Sequence, residues 1–353
     1  MFPAQPRQLV TTLLLCSAAA SVLAQKPVPA QAVILQYHHV STATPPSTSI
    51  SPADFRTHMA YLRDNGFHIE RLETVLDALQ NGTPLPDKTA VLTFDDGYQS
   101  VYTDAFPLLR EYDWPFTIFV TTGLVSSNPR LYASWEQLAE MGAGGATLAN
   151  HSVSHPYMLE HLPGEDDSAW LARLEQEIVV AEEELVRHTG QNHRLFAYPY
   201  GEYDPQIQAL VTELGYVGIG QHSGPINATS DFSALPRFPF SGVYASMNTY
   251  PTKVNSLVFD VQLLSPPSPV SAEKRPQAVL QFEGEYRLDA LTCYHNDSPM
   301  QLHVEDAAAS QIYRLQPVQD NNNRRWRYNC TAPGQDGRFY WYSIPWTNPT
   351  IAE

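Results

Sequence analysis

The strongest constraint on the fold of this chain is a repeated alternation of short strands and longer amphipathic helices over residues 32–239. The strand candidates are short apolar or β-branched runs such as 33–37, and the helix candidates carry apolar residues at helical spacing. Repeated strand-then-helix order implies a parallel sheet with helices outside it. We therefore predict the α/β class, with the sheet closed or nearly closed as a barrel.

Several elements of this region have clear sequence boundaries. Ser51 is a helix cap, Pro52 takes the first helical position, and Phe55, Met59 and Leu62 continue at helical spacing. Further strands are predicted at residues 90–94, 116–120, 146–149 and 195–198, and further helices at 103–112, 134–141 and 167–188. The last helix carries five glutamates that we interpret as a solvated face: Glu175, Glu177, Glu182, Glu183 and Glu184.

The pattern changes after about residue 250, where runs with period-2 alternation are separated by polar turns. These runs predict a small antiparallel β-sandwich over residues 250–353, with strands at 278–282, 286–294, 301–304, 311–315, 325–328 and 338–342. Its aromatic side chains suit core packing, and a sugar-stacking platform is the alternative. They are Trp326, Tyr340, Trp341, Tyr342 and Trp346.

The N-terminus predicts the compartment. Arg7 precedes an apolar run at 9–24 that ends in short residues, as in a cleaved signal peptide, so residues 1–24 predict a secreted or periplasmic protein. No later run approaches the length of a transmembrane helix. Cys16 would leave with the signal, and in an oxidising compartment the remaining Cys293 and Cys330 favour a disulfide over two free thiols.

The charge balance excludes one class of partner. The 353 residues contain 21 Lys and Arg against 37 Asp and Glu, a formal net charge of −16. A protein that binds nucleic acid needs a basic surface to neutralise phosphates. We therefore expect no nucleic acid partner.

Two adjacent carboxylates stand out at the end of a predicted strand. Asp95 and Asp96 lie in the sequence TFDDG at residues 93–97, where the glycine permits a sharp turn. The carboxyl ends of parallel strands form the active-site edge of such folds. Neighbouring carboxylates raise one another's pKa unless a cation or partner charge holds them. By itself this pattern is also typical of an ordinary turn or helix cap.

Three other segments follow predicted strands in the same way. His151 and His155 have the spacing that places two imidazoles on one face of a helical turn, where they can share a metal. Pro199 and Tyr200 lie in a Pro-Tyr-Gly loop that can aim a backbone N–H at a developing oxyanion. His38 follows the first strand and is a candidate general acid. Each segment alone has a purely structural interpretation.

Taken in order, TFDDG, the His-Ser-x-x-His pattern at 151–155 and Pro-Tyr-Gly at 199–201 resemble the polysaccharide deacetylase family, also called NodB-homology domains or carbohydrate esterase family 4. The resemblance covers roughly residues 30–240. It implies a distorted (β/α) barrel of NodB-homology type over residues 30–245. It also implies that Asp95 is the general base and that three ligands bind a divalent metal: Asp96, His151 and His155. Zinc is favoured, and cobalt, nickel or iron suit the same ligands.

The sequence departs from the family pattern at two points. The Leu-x-His-like segment with His38 precedes the first motif instead of following the last, which resembles a circularly permuted branch that includes poly-β-1,6-N-acetylglucosamine deacetylases of biofilm systems. Ala197 occupies the position where the family usually has an arginine that orients the base. Arg237 is the candidate replacement, and a surface ion pair is the alternative for that residue.

The resemblance implies metal-dependent N-deacetylation of a polysaccharide that contains N-acetylglucosamine. Water with its pKa lowered by the ion would attack the acetamide carbonyl, Asp95 would take its proton, and the Tyr200 N–H would hold the oxyanion. Two alternatives stay open: de-O-acetylation of a polysaccharide such as xylan, and a catalytically silent carbohydrate-binding matrix protein. The acidic surface has two interpretations: it attracts a product that becomes cationic, or it serves only to keep the protein soluble.

Overall fold

A computed structural model describes Met1, residues 30–306 and residues 309–352 of the protein. Apart from Met1, the predicted signal peptide at residues 1–24 lies outside the described residues. Within the described part, no helix combines the length and apolar character needed to cross a bilayer.

The N-terminal two thirds of the described chain alternates strands and helices. The strands are β1 Gln31–Tyr37, β2 His39–Val40, β3 Ser49–Ile50, β4 His68–Ile69, β5 Thr89–Asp96, β6 Phe116–Val120, β7 Ala146–Asn150, β8 Leu195–Ala197, β9 Val217–Ile219, β10 Pro225–Asn227 and β11 Phe238–Pro239. The helices are α1 Pro52–Asp64, α2 Leu72–Gln80, α3 Phe106–Glu111, α4 Trp135–Ala143, α5 Asp167–Thr189, α6 Pro205–Glu213 and α7 Tyr250–Val254.

Nine of these strands form one curled sheet in the order β10-β1-β5-β6-β7-β8-β9, with β4 beside β5 and β11 beside β1, and β2 and β3 pair separately with each other. All pairs are parallel except β1 with β10. Leu235 forms a β-bridge to Ile219, the last residue of β9. Three residues later, Phe238 pairs with Leu35 of β1, so this segment links the two margins of the sheet. The predicted α/β class and distorted barrel are confirmed.

Alternate side chains of β1 pack into two different apolar cores, as the period of a strand requires. Ile34 lies in a cluster with Phe119, Ile219 and the apolar face of α2. Leu35 and Tyr37 lie in a cluster with apolar residues of α1, α3 and α4. The sheet is therefore covered on both faces, which positions its strand ends rigidly.

The predicted helix at 103–112 is wrong in its first turn. Val101–Ala105 form a π-helical turn, and α3 begins only at Phe106. Pro107 has no backbone N–H, so a regular α-helical hydrogen bond to the carbonyl of Thr103 is impossible there. The α-helix is consequently shorter than its apolar pattern predicts.

The C-terminal part forms two further sheets, as predicted. Its strands are β12 Leu257–Val258, β13 Val261–Ser265, β14 Ala278–Phe282, β15 Thr292–His295, β16 Ser298–Pro299, β17 Gln301–Asp306, β18 Ala309–Gln316, β19 Arg325–Pro333 and β20 Phe339–Thr347. They pair in the orders β12-β20-β19-β15-β16 and β13-β14-β18-β17. All these pairs are antiparallel except β12 with β20.

The two C-terminal sheets share one core, which contains Leu280, Tyr328, Trp326 and Trp346. Four of the five singled-out aromatics pack in or against this core, and Trp341 instead packs edge-on against Phe238 of the barrel. The core-packing interpretation therefore describes these side chains. Cys293 and Cys330 are directly opposite each other on β15 and β19 and form a disulfide.

The predicted strand at 286–294 is wrong over most of its length. Leu288–Ala290 form a 3₁₀ turn, and only Thr292–His295 is strand. The chain passes here from β14 in the four-stranded sheet to β15 in the five-stranded sheet. A crossing between sheets requires a bend in the chain. The segment therefore does not form one continuous strand, although its apolar residues alternate.

Removal of the disulfide should destabilise the C-terminal sheets. The bridge closes a loop of 37 positions, for which loop-closure entropy amounts to about 3 to 4 kcal/mol. We expect the double variant Cys293→Ala/Cys330→Ala to lose about that much free energy of unfolding, measured by guanidinium titration with tryptophan fluorescence. Reduction of the unmodified protein should give a similar loss, and an unchanged midpoint in both experiments would contradict the prediction.

Candidate metal centre and active site

The singled-out polar residues meet at one edge of the curled sheet. Asp96 is the last residue of β5, and His38, His151 and Pro199 lie just beyond the ends of β1, β7 and β8. These strands run parallel in the order β1-β5-β6-β7-β8. Their carboxyl ends therefore share one rim, which is where active sites of parallel α/β folds form.

Three side chains at this rim are placed to hold a metal ion. The Oδ1 atom of Asp96 lies 3.4 Å from Nε2 of His151 and 3.4 Å from Nε2 of His155. One potential ligand atom from each residue lies within 4.8 Å of the other two. Among the residues that the structure describes, this is the one group of three such side chains found.

The hydrogen bonds of His151 test whether a cation fits this group. Its Nδ1 atom lies 2.8 Å from the carbonyl oxygen of Ala197, which can only accept, so Nδ1 carries the proton in the neutral ring. Its Nε2 atom is buried and has no hydrogen-bond partner. A neutral Nε2 with a free lone pair faces the Asp96 carboxylate, and a cation between them would satisfy both. The residues present fit a divalent metal.

The two histidines do not lie on a helical turn, contrary to the prediction. Residues 151–155 form a loop after β7, in which Ser152 has φ of 66° and His155 has φ of 56°. The Ser152 hydroxyl accepts a hydrogen bond from the His155 N–H at 3.0 Å. Non-glycine residues enter this left-handed region rarely and at a cost. The loop, and not helical periodicity, brings the two imidazoles together.

Two glutamates of α5 hold this loop, so the interpretation of all five as a solvated face is wrong. Glu177 accepts hydrogen bonds from the N–H groups of Val153 at 3.0 Å and Ser154 at 2.8 Å. Glu182 is buried and accepts a hydrogen bond from Asn150 at 3.0 Å, and Oδ1 of Asn150 in turn accepts one from the Ser152 N–H at 2.9 Å. Both glutamates lie beside the apolar stripe of α5, and that position is the sequence signal for their inward placement.

Asp95 is fully buried and forms a bidentate ion pair with Arg237. Its two oxygens lie 2.7 and 2.8 Å from the Nη1 and Nη2 atoms of that guanidinium. Gln36 donates a further hydrogen bond of 2.7 Å to Oδ2, and Nε2 of His38 lies 3.8 Å from the same oxygen. Burial by itself raises the pKa of Asp95, but the charges around it, Arg237 foremost, bring the pKa below its usual value. The carboxyl is therefore ionised.

The structure brings all the predicted site residues to this rim. Pro199 begins the 3₁₀ turn Pro199–Gly201 after β8, and Tyr200 within it has φ of 56°. The Tyr200 ring packs edge-on against His155, with ring centroids 4.3 Å apart. Gln36, Glu177 and Glu182 were not predicted to contribute. Gln36 lies within the segment that suggested His38, but nothing in one sequence distinguishes it from any other strand residue.

Burial also affects the protonation of the second histidine. It lowers the pKa of His155 to about 4, because the charged imidazolium loses its contact with water. The His155 imidazole is thus neutral near pH 7, which is the form that coordinates metals.

Comparison with known proteins supports the assignment of the fold. Residues 82–219 match the model of the family described as polysaccharide deacetylase. Over 307 residues the chain is 27% identical to poly-β-1,6-N-acetyl-D-glucosamine N-deacetylase of Escherichia coli strain K12, a match that covers 76% of this chain and 43% of that relative. The chain thus spans less than half the length of that relative.

Two solved structures resemble the described fold. IcaB from Ammonifex degensii aligns with a TM-score of 0.56 and 27% identity, covering 65% of this chain and 99% of that one. The Streptococcus pyogenes deacetylase PplD, solved in complex with acetate, aligns with a TM-score of 0.55 and 26% identity, covering 61% of this chain and 95% of that one. About a third of this chain therefore lies beyond the fold shared with either structure.

Glu177 should affect metal affinity although it is not a ligand. The Glu177 carboxylate accepts hydrogen bonds from the Val153 and Ser154 N–H groups. Glu177→Gln replaces it with an uncharged amide, in which only one of the two polar atoms can accept a hydrogen bond. We expect affinity for zinc to fall about 10-fold or more, as for other residues that orient ligands. Competition with a fluorescent chelator measures this affinity. Glu175→Gln, on an exposed position of the same helix, is the matched control, and equal affinities of the two variants would contradict the prediction.

Proposed function

We propose that this protein, whose residues 82–219 match the polysaccharide deacetylase family, removes N-acetyl groups from an N-acetylglucosamine polymer and releases acetate. The observation that carries the proposal is the pairing of a buried, ionised Asp95 with the adjacent ligand group that contains Asp96. A β-1,6-linked polymer is favoured, because the Escherichia coli relative is named for that substrate.

The proposed metal ligands are Asp96, His151 and His155. Two imidazoles and one carboxylate suit zinc, and cobalt, nickel or iron are accepted by the same atoms. When bound there, the ion supplies Lewis acidity, which lowers the pKa of water and polarises the acetamide carbonyl. Glu177 and Glu182 keep the histidine loop in place for this role.

In the proposed reaction, Asp95 is the general base. Arg237 and Gln36 hold its carboxylate in one orientation, so that it can take a proton from the attacking water. His38 is the proposed general acid and returns a proton to the leaving nitrogen as the C–N bond breaks. The Tyr200 N–H, on the loop that begins at Pro199, is proposed to stabilise the oxyanion. The products are acetate and a free amine on the sugar.

The proposed domain organisation is a signal peptide at residues 1–24, a catalytic domain at 30–245 and a β-sandwich domain at 250–353. The Cys293–Cys330 disulfide supports a secreted or periplasmic location, because such bonds persist in oxidising compartments. The proposed partner is a neutral N-acetylated polysaccharide, which becomes cationic as acetyl groups leave.

Acetate release from defined oligomers tests this function. We expect release from β-1,6-linked N-acetylglucosamine oligomers, loss of release with a chelator, and recovery when zinc is restored. Asp95→Asn should lower kcat by about 100-fold or more, since a general base contributes about that much. The exposed Asp104→Asn is the matched control.

Three outcomes would contradict the proposal: activity that survives chelation, full activity of Asp95→Asn, or acetate release only from acetyl-xylan. Zinc binding by Asp95→Asn, compared with the unmodified protein, checks that the variant is folded at the metal centre.

A further inference from the structure

A carboxylate next to the active-site rim is neutralised by the C-terminal sheets. Glu202 directly follows the turn Pro199–Gly201 and is fully buried. Arg324, which lies just before β19, contacts it through Nε at 2.6 Å and Nη2 at 2.9 Å. Arg325, the first residue of β19, adds Nη1 at 2.8 Å. A charged group of the barrel is thus held by two arginines from the other part of the chain.

The same arginines lie over the aromatic rings beside the proposed metal centre. The guanidinium of Arg325 is 4.8 Å from the centroid of the Tyr200 ring, and that of Arg324 is 4.6 Å from the Tyr157 ring. The two tyrosine rings stack on each other at 4.3 Å, and Tyr200 packs edge-on against His155 at the same separation. Direct contacts therefore connect β19 to a proposed metal ligand.

A third arginine, Arg327 in β19, holds a residue that packs against this loop. Gly201 has φ of +70°, and a Cβ atom there would come within 2.8 Å of the Gln221 side chain. Arg327 donates a hydrogen bond of 3.1 Å to the Gln221 carbonyl oxygen. Arg325 and Arg327 are two positions apart on one strand, so they share the face that lies opposite the buried Trp326.

The energetics of Glu202 indicate what these contacts do. A buried carboxylate without a partner is strongly destabilising, so the backbone around it would rearrange to expose it. The arginines of the C-terminal sheets make the buried position favourable and thereby fix residues 198–202, called here the Tyr200 loop. An independent binding module joined by a linker would not need such a connection.

We propose that Arg324 and Arg325 are positioning residues, through which the C-terminal sheets hold the Tyr200 loop against His155. The C-terminal part then completes the active site and is not a separable carbohydrate-binding module. The expected effect of these residues on turnover rests on the proposed function. Their expected effects on loop order and metal affinity do not depend on it.

A second ion pair between the two parts of the chain provides a matched control. Arg338 contacts Asp87 with an Nη1–Oδ1 distance of 2.9 Å. Asp87 lies two residues before β5 begins, whereas Asp96 ends that strand, so this pair joins the parts at the far end of the barrel. If the arginines served only to fasten the two parts together, Arg338→Gln and Arg325→Gln would behave alike.

The test compares Arg325→Gln, Arg325→Lys and Arg338→Gln in the full chain. Hydrogen exchange of the amides of residues 200–203 measures loop order, with and without zinc. Chelator competition measures zinc affinity, and acetate release from N-acetylglucosamine oligomers gives kcat and KM. For Arg325→Gln we expect faster exchange in the loop, zinc affinity about 10-fold lower, and a fall in kcat that exceeds the change in KM.

Arg325→Lys, which keeps the charge but not the planar fork, should recover part of each loss. Arg338→Gln should leave loop exchange, zinc affinity and kcat unchanged. Glu202→Gln, which removes the charge from the loop side, should reproduce the three effects of Arg325→Gln.

The positioning role would be overturned if Arg325→Gln and Glu202→Gln showed the same loop exchange and zinc affinity as Arg338→Gln. Absence of acetate release from the unmodified protein would overturn the proposed function instead. In that case, exchange and zinc affinity still decide the positioning role, because neither measurement involves substrate.

Discussion

Arg237 and Asp95 form a fully buried, bidentate ion pair, although 142 residues separate them in the chain. Removing two charges from water is costly, and only a complete set of hydrogen bonds compensates for that cost. Thr93 and the Gly220 carbonyl complete the contacts of the guanidinium, and Gln36 completes those of the carboxylate. The pair fixes the end of β5 against the segment before β11, and the geometry of the rim depends on that attachment.

Much of the barrel and its active edge could be predicted from local sequence. Strand-then-helix order predicts the parallel sheet, and a parallel sheet brings its strand ends together, so polar residues after strands become neighbours without any knowledge of distances. This reasoning places His38, Asp96, His151 and Tyr200 at one rim. It fails where a single residue or a change of sheet overrides the pattern, as at Pro107 and in the 3₁₀ turn Leu288–Ala290.

The supporting contacts could not be predicted in the same way, because they join distant segments through side chains. The positions of Glu177 and Glu182 beside the apolar stripe indicate that they face inward, but only the contact of α5 with the end of β7 and the loop after it gives them acceptor roles. The partnership of Glu202 with Arg324 depends on how two parts of the chain dock. Arg237 could be predicted only through the family resemblance, because this chain has Ala197 where the family usually has an arginine, and the base then needs another cation to orient it.

The left-handed backbone of Ser152, His155 and Tyr200 has a consequence for ligand binding. Each such residue stores about 1 to 3 kcal/mol of conformational energy, which the packed surroundings impose during folding. Contacts within the protein hold this arrangement, such as the hydrogen bond that the His155 N–H donates to the Ser152 hydroxyl. Binding then requires little further ordering of these segments, and the site is preorganised at the expense of the stability of the whole fold.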